Sequence, residues 1–227
     1  MNSNLTLPRP FEAIIFDMDG VIVDSEPLHE LAFLQVFQDL GCEDSHGVDF
    51  PAYYGRSDLT LWQDFVERHR PPHSLAQLLA WKQEKFLKLL DQQRPVFMGI
   101  PDLVSVCASR YPVAIASGSV HQVIRAVLEL EDLHENFSAV VSAEDVPNGK
   151  PAPDIFLRAA DLLQKPPERC CVIEDSSAGV HGAIAAGMQA IAITHSLPRE
   201  QLSHATCVVD SIAELQSLLD RSYSPPV

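Results

Sequence analysis

Short apolar stretches of about four residues recur along the chain, and all but the last are followed by helix-like or loop-like sequence. Because both faces of each stretch are apolar, the pattern indicates strands that are buried on both sides within a parallel sheet. The predicted strands are Ala13–Phe16, Val113–Ala116, Ala139–Val141, Cys171–Ile173, Ala190–Ile193 and Cys207–Val209. The predicted helices of this part are Asp102–Ser109, Val120–Leu130, Asp154–Leu163, Ala178–Ala186 and Ile212–Leu219. The alternation predicts an α/β fold with a doubly wound, Rossmann-like parallel sheet.

A long segment separates the first predicted strand from the second. It spans about 95 residues, whereas a simple strand–helix–strand crossover needs about 30. Apolar residues at helical spacing recur within it, and no convincing strand lies among them. The helix-like stretches are Pro27–Leu40, Leu59–Val66 and Leu75–Leu90. We therefore expect an α/β core of residues 1–25 and 96–227 that carries an inserted all-helical cap of residues 26–95.

The chain is acidic, with 31 Asp and Glu against 16 Lys and Arg and a formal net charge of −15. Nucleic acids and anionic membranes are bound through clustered Lys and Arg, and no such cluster occurs, so neither is an expected partner. No apolar run approaches the roughly 20 residues that span a bilayer, and the first ten residues lack the pattern of a secretory signal. We expect a cytoplasmic monomer whose five cysteines are structural thiols.

Polar side chains follow four of the predicted strands at the point where each strand ends. They are Asp17 and Asp19 after the first strand, Ser117 after the second, Lys150 after the third and Glu174 with Asp175 after the fourth. The carboxyl ends of parallel strands meet at one edge of a sheet, where doubly wound folds bind their ligands. Several carboxylates collected there would repel one another without a cation, and their hard oxygens suit Mg²⁺. The sequence therefore predicts a magnesium site at this edge.

Four stretches around these residues resemble, in order, the motifs of the haloacid dehalogenase superfamily. Within the superfamily, the stretches more specifically resemble the sugar-phosphatase and β-phosphoglucomutase-like branch, whose helical cap is inserted just after the first motif. The stretches are Asp17-Met18-Asp19-Gly20-Val21-Ile22-Val23-Asp24-Ser25, Ser117-Gly118, Lys150-Pro151-Ala152-Pro153-Asp154-Ile155-Phe156 and Val172-Ile173-Glu174-Asp175-Ser176. Each motif alone is weak, but four in order with a gap where the cap belongs make a specific signal.

The resemblance implies a role for each motif residue in a Mg²⁺-dependent phosphatase. Asp17 is the expected nucleophile, which would form an aspartyl phosphate, and Asp19 the expected general acid and base. The implied metal ligands are Asp17, Asp19 through its backbone carbonyl, and Asp175, with Glu174 either a further ligand or a group that orients a metal-bound water. Ser117 and Gly118 are expected to bind the phosphoryl group, and Lys150 to offset the charge that accumulates there. The expected substrate is a small phosphorylated metabolite, a sugar or polyol phosphate.

Three residues of the expected cap are candidates for substrate binding. Arg56 lies in a polar and aromatic loop and can pair with a carboxylate or a distal phosphate of the substrate. His29 follows the entry into the cap, and Lys82 lies on its longest helix; the mutase branch has a histidine and a lysine in the corresponding places. A solvent-exposed charge at Arg56 would be equally consistent with the sequence, and for Lys82 a solvent-exposed position is favoured over substrate binding.

Two other functions compete with the phosphatase. A phosphoglucomutase-like enzyme would return the phosphoryl group to another hydroxyl of the sugar, but its pattern Ser-Ala-Ser-Lys is replaced here by Ser117-Gly118-Ser119-Val120. A phospho-accepting signalling domain also has an acidic pocket with a hydroxyl and a lysine on a parallel sheet. Such a domain needs only about 120 residues, so the helical insert would be superfluous. Product analysis on glucose 1-phosphate and the lifetime of the aspartyl phosphate separate the three hypotheses.

Overall fold

The computed structural model describes residues 7–53 and 58–223. The chain divides into two compact units, one formed by residues 1–24 with 96–227 and the other by residues 25–95. We call them the core and the helical insert. Among the described residues, no helix is both long and apolar enough to cross a membrane.

The core contains a six-stranded sheet in which every pair of neighbouring strands is parallel. Its strands are β1 (Ala13–Phe16), β2 (Val113–Ser117), β3 (Ala139–Ser142), β4 (Cys170–Glu174), β5 (Gln189–Ile193) and β6 (Cys207–Val209). All residues of β1, β2, β4, β5 and β6 are buried, as strands covered on both faces require. The α/β fold with a doubly wound parallel sheet, predicted from sequence, is confirmed.

Helices of the core follow the strands along the chain. They are α4 (Ile100–Ala108), α5 (His121–Leu130), α6 (Asp154–Leu162), α7 (Ser177–Ala185) and α8 (Ile212–Ser222). One buried apolar cluster of the core includes Ile15 of β1, Val172 of β4, and Ile155 and Phe156 of α6. This packing fixes where each strand ends, and therefore where the polar residues after it begin.

The strand order β3-β2-β1-β4-β5-β6 places the point of reversal between β1 and β4. From β1 the chain proceeds outward through β2 and β3, and from β4 it proceeds outward on the other side. In sheets of this kind, a crevice opens beyond the carboxyl ends of the two strands at the reversal. Asp17 comes directly after β1, and Glu174 is the last residue of β4, so the topology places both at this crevice.

The helical insert contains α1 (Glu26–Asp39), α2 (Asp58–His69) and α3 (Leu75–Gln93). Its own buried cluster is rich in aromatic side chains and includes Phe33, Phe37, Trp62 and Phe65. Helix α3 begins with a capping box in which the Ser74 hydroxyl accepts from Gln77 N and the Gln77 side chain accepts from Ser74 N. No strand occurs in the described residues of the insert, in agreement with the helical pattern of the sequence.

Candidate active site

Three carboxylates lie together beyond the ends of β1 and β4. Oxygen atoms of Asp17, Glu174 and Asp175 lie within 4.8 Å of one another, and all three residues are buried. Burial disfavours the ionised form, so it raises the pKa of Asp17, and nearby Glu174 and Asp175 add to this rise while Lys150 opposes it. The structure thus brings together the carboxylates that the sequence predicted at the ends of two different strands.

Lys150 links two of these carboxylates. Its Nζ lies 2.5 Å from Asp17 Oδ1 and 2.7 Å from Glu174 Oε1, and it also lies 5.1 Å from the centre of the Phe156 ring. Burial alone would lower the pKa of Lys150, but the two carboxylates outweigh burial and raise this pKa. Lys150 is therefore held as a cation against the predicted nucleophile.

Glu174 is fixed by the first turn of α7. Its Oε2 accepts hydrogen bonds from Asp175 N at 2.9 Å, Ser176 N at 2.8 Å and Ser176 Oγ at 2.9 Å. The Ser176 hydroxyl also caps the helix by accepting from Gly179 N. A Cβ on Gly179 would lie 1.6 Å from Glu174 Oε1, so only glycine leaves room for the carboxylate there. The helix start and the acidic cluster are therefore one local structure.

Asp175 lies against the turn that follows β1. Ser196 Oγ donates a hydrogen bond to Asp175 Oδ2, and a Cβ on Gly20 would lie 1.8 Å from the same oxygen. Gly20 also has φ +77°, a conformation that glycine adopts without strain. Burial raises the pKa of Asp175 to about 7; Glu174 adds to the rise, and the Ser196 hydrogen bond opposes it.

The acidic cluster fits a divalent cation. When all are ionised, Asp17, Glu174 and Asp175 leave two negative charges that Lys150 does not balance. Buried charges without a counterion are strongly destabilised, and the raised pKa values of Asp17 and Asp175 are the consequence. A bound Mg²⁺ would supply the missing charge, and carboxylate oxygens are the donors it takes.

The second predicted aspartate, Asp19, lies among serine hydroxyls. Its Oδ2 is 2.9 Å from Ser119 Oγ and 3.4 Å from Ser117 Oγ. The buried Ser142 hydroxyl donates to the carbonyl oxygen of Ser119 at 2.8 Å, which ties β3 to this loop. Gly118 is exposed, and a Cβ on it would have no neighbour within 4 Å. Asp19 and Ser117 are thus brought together as the sequence implied.

The predicted substrate-binding residues of the insert have different outcomes. The surface position favoured for Lys82 is wrong, because Lys82 is only 1% exposed. Its Nζ lies 2.7 Å from Asp58 Oδ2 and 2.5 Å from His29 Nδ1. The structure therefore brings Lys82 and His29 together inside the insert, and Asp58 balances the lysine charge. Arg56 lies outside the described residues. Substrate binding by these three residues stays a prediction.

Four polar residues at or behind the predicted site were not predicted from the sequence. Ser119 donates a hydrogen bond to Asp19, Ser142 donates to the carbonyl oxygen of Ser119, and Ser196 donates to Asp175. The fourth, His195, contacts the carbonyl oxygen of Gly20 at 2.8 Å. Ser119 was recognisable because it follows the Ser117-Gly118 motif by one residue. The other three come from β3 and from the loop after β5, so nothing in the local sequence connects them with the motifs.

Comparison with known proteins places the chain in a family. A family model described as a haloacid dehalogenase-like hydrolase matches residues 11–187. The chain therefore belongs to the haloacid dehalogenase-like hydrolases, as the ordered motifs predicted. With the phosphatases among its relatives, this membership identifies the protein as a phosphoric monoester hydrolase.

Two bacterial relatives and one solved structure illustrate the branch. Hexitol phosphatase B of Escherichia coli K12 is 32% identical over 191 residues, which cover 83% of this chain and 86% of the relative. Fructose-1-phosphate phosphatase YqaB of the same organism is 34% identical over 187 residues, covering 80% and 95%. The crystal structure of β-phosphoglucomutase from Clostridium difficile superposes with a TM-score of 0.74 at 25% identity, covering 93% and 98%.

Proposed function

We propose that the protein is a Mg²⁺-dependent phosphatase that hydrolyses a sugar or polyol monophosphate through an aspartyl phosphate on Asp17. The buried cluster of Asp17, Glu174, Asp175 and Lys150 carries this proposal, because it joins a nucleophile, a cation and an excess of negative charge at one crevice. The relatives named for hexitol and fructose 1-phosphate hydrolysis support the substrate class.

The first half of the proposed reaction transfers the phosphoryl group to Asp17. A carboxylate oxygen of Asp17 attacks phosphorus, and the bond between phosphorus and the sugar oxygen breaks. Asp19 donates its proton to the departing alkoxide, and the hydroxyls of Ser119 and Ser117 orient its carboxyl group. Lys150 holds Asp17 in place and stabilises the charge that develops on the phosphoryl oxygens.

The second half returns the enzyme to its starting state. Asp19, now ionised, removes a proton from a water molecule that attacks phosphorus, and the bond to the Asp17 oxygen breaks. Inorganic phosphate leaves, and Asp19 again carries its proton. Asp17, Glu174 and Asp175, with the Asp19 carbonyl implied by the family resemblance, would hold Mg²⁺. When bound, the metal offsets the repulsion between the anionic phosphoryl group and the carboxylate.

Phosphate release from a substrate panel tests the proposal. The panel should include fructose 1-phosphate, hexitol phosphates, other sugar phosphates and nucleoside monophosphates, each with Mg²⁺ and with EDTA. We expect release from sugar or polyol phosphates with Mg²⁺ and none with EDTA. Absence of release from every ester with Mg²⁺ would contradict the proposal. Size-exclusion chromatography with light scattering tests the accompanying expectation of a monomer.

A sugar phosphate mutase is the second candidate, and the likeness to the β-phosphoglucomutase structure favours it. The two enzymes share the attack by Asp17 and differ in whether water or the sugar accepts the phosphoryl group. Val120 occupies the place where the mutase pattern has a lysine, so a cation for a second phosphate is missing from this motif. We therefore expect β-glucose 1-phosphate to give no glucose 6-phosphate. Accumulation of glucose 6-phosphate would favour the mutase.

A further inference from the structure

The loop after β5 reaches the carboxyl edge of the sheet next to the acidic cluster. At the start of the loop, Thr194 N donates to Val209 O at 3.1 Å, and Thr194 Oγ1 donates to Asp210 Oδ1 at 3.1 Å. Leu197 packs against the apolar cluster of the core on the other side. Both ends of the segment that contains His195 and Ser196 are therefore anchored to the folded core.

His195 contacts the turn that follows Asp19. Its Nδ1 lies 2.8 Å from the carbonyl oxygen of Gly20, and since a carbonyl only accepts, Nδ1 carries the proton and donates. The ring stacks on Phe97, with centroids 4.1 Å apart and planes 26° from parallel. Phe97 is itself tied to the same turn, because its N donates to Ile22 O at 3.0 Å. Stacking on Phe97 therefore orients the His195 ring, and the hydrogen bond from Nδ1 holds the ring to Gly20.

Ser196 contacts the other half of the site. Its hydroxyl donates to Asp175 Oδ2, the oxygen against which Gly20 is closely packed. A Cβ on Gly20 would also lie 2.7 Å from Ser196 Oγ. Consecutive residues of one anchored loop thus hold the turn after β1 and the carboxylate after β4.

We propose that His195 and Ser196 are positioning residues that fix Asp175 and the Asp19–Gly20 turn relative to each other. The inference rests on the proposed function, in which Asp175 and the Asp19 carbonyl hold the metal and the Asp19 side chain moves the proton. Partners that orient metal ligands matter for metal binding as well as for rate. Phe97 supports this positioning, because its stacking keeps Nδ1 of His195 in contact with the carbonyl oxygen of Gly20.

Magnesium binding without substrate tests Ser196 directly. Titration calorimetry should show that Ser196→Ala weakens Mg²⁺ affinity by about tenfold, the lower end of the range for such partners. Ser196→Thr, which keeps the hydroxyl, should restore affinity to within about threefold, and exposed Ser203 supplies the matched control Ser203→Ala. Thermal unfolding in EDTA checks the fold; Ser196→Cys, of similar size, replaces the alanine variant if that does not fold. Unchanged affinity in a folded Ser196→Ala protein would overturn the assignment.

Two substitutions separate the hydrogen bond of His195 from its ring. His195→Asn keeps a nitrogen donor at the distance of Nδ1 along the side chain, whereas His195→Phe keeps the stacking and removes the donor. We expect His195→Phe to lower kcat about tenfold with KM changed less than threefold, and His195→Asn to be at least threefold faster than His195→Phe. Exposed His134 supplies the control His134→Asn. Equal kcat values for the two His195 variants would overturn the role of the hydrogen bond.

The two readouts distinguish a failure of this inference from a failure of the proposed function. If the wild type binds Mg²⁺ but hydrolyses no phosphate ester, the proposed function fails, while the Ser196 comparison still stands or falls on affinity. If the wild type hydrolyses esters and neither Ser196→Ala nor His195→Phe differs from its control, the positioning roles fail alone. Wild-type protein that binds no Mg²⁺ would overturn both.

Discussion

Lys150 is the side chain whose loss should disturb the site most. In Lys150→Met, Asp17 and Glu174 would face each other in a buried site without their shared cation. Removing one partner of a buried ion pair costs about 3–5 kcal/mol, so we expect the free energy of unfolding in EDTA at pH 8 to fall by about 3 kcal/mol or more. Urea denaturation measures this change. We also expect kcat to fall more than about 100-fold, because we propose that Lys150 stabilises the charge on the transferred phosphoryl group.

Lys165→Met is the matched control. The Lys165 Nζ lies 3.1 Å from Glu12 Oε2, but both side chains are substantially exposed. Exposed ion pairs contribute about 0–1 kcal/mol, so this variant should unfold within about 1 kcal/mol of the wild type. Equal losses of stability in the two variants would mean that the buried position of Lys150 has no special energetic role.

The raised pKa of Asp175 predicts that Mg²⁺ affinity depends on pH. Burial raises that pKa to about 7 in the metal-free protein, whereas the metal ligand that we propose Asp175 to be must be ionised. Below pH 7 the bound proton competes with Mg²⁺, so affinity should weaken by roughly tenfold for each unit of pH. Titration calorimetry between pH 5.5 and 8.5, with circular dichroism to check the fold, measures the profile; an affinity independent of pH would contradict this account.

At the residue scale, the sequence predicted the groups whose chemistry is recognisable from their order along the chain. Glu174 ends a strand, and Asp17, Lys150 and Asp175 follow strands. The parallel sheet brings strand ends together whatever their separation in sequence. His195 and Ser196 could not be predicted, because their contacts depend on the course of one loop. A lone His-Ser pair has no spacing that distinguishes it from a surface loop.

The start of helix α7 packs directly against Glu174 at the end of β4, and this close packing requires glycine at position 179. Gly to Ala inside a helix normally stabilises by about 0.5–1 kcal/mol. In Gly179→Ala the new Cβ would overlap Glu174 Oε1, so we expect a net destabilisation of about 1–3 kcal/mol, typical of overpacking. Thermal and urea unfolding measure the change. A Cβ on Gly149 would meet nothing within 4 Å, so Gly149→Ala should change stability little; a stabilised Gly179→Ala would contradict the observed contact.

At the scale of elements, every strand end was predicted to within one residue. The strands extend one residue beyond the prediction at Ser117, Ser142, Cys170, Glu174 and Gln189. Strands apolar on both faces can be recognised without knowledge of their neighbours. The ends of the helices were predicted less accurately, because they are set by the capping residues. Helix α3 was predicted to end at Leu90, but it continues to Gln93 and is followed by Arg94, whose backbone is in the left-handed region. Helix α4 begins at Ile100, after Gly99, rather than at Asp102. The spacing of apolar residues does not predict these first and last turns of a helix.

The helical insert and the core each have an apolar cluster of their own, which makes a prediction for the whole molecule. Val23 and Val96 form an antiparallel bridge, so the chain leaves the core and returns to it at adjacent positions. A short Gly-Ser linker can therefore replace residues 25–95. We expect this shortened protein to keep its Mg²⁺ affinity within about threefold, because Asp17, Glu174 and Asp175 all belong to the core.

The same shortened protein should lose most hydrolysis of sugar phosphates, since it lacks His29, Arg56 and Lys82, the candidate substrate-binding residues. Titration calorimetry and phosphate release measure the two properties separately, and circular dichroism checks that the sheet forms. A shortened protein that folds but no longer binds Mg²⁺ would contradict the assignment of the metal ligands to the core.

The attack by Asp17 is the central claim, and kcat of Asp17→Asn tests it most directly. Asparagine keeps the shape of the side chain and removes the nucleophilic carboxylate. Asp24→Asn, at an exposed position at the end of the same motif, is the control. With the best substrate of the panel and saturating Mg²⁺, we predict that Asp17→Asn retains less than about a hundredth of the wild-type kcat, while its thermal midpoint in EDTA is not lowered. A folded Asp17→Asn protein with more activity than that would contradict the account.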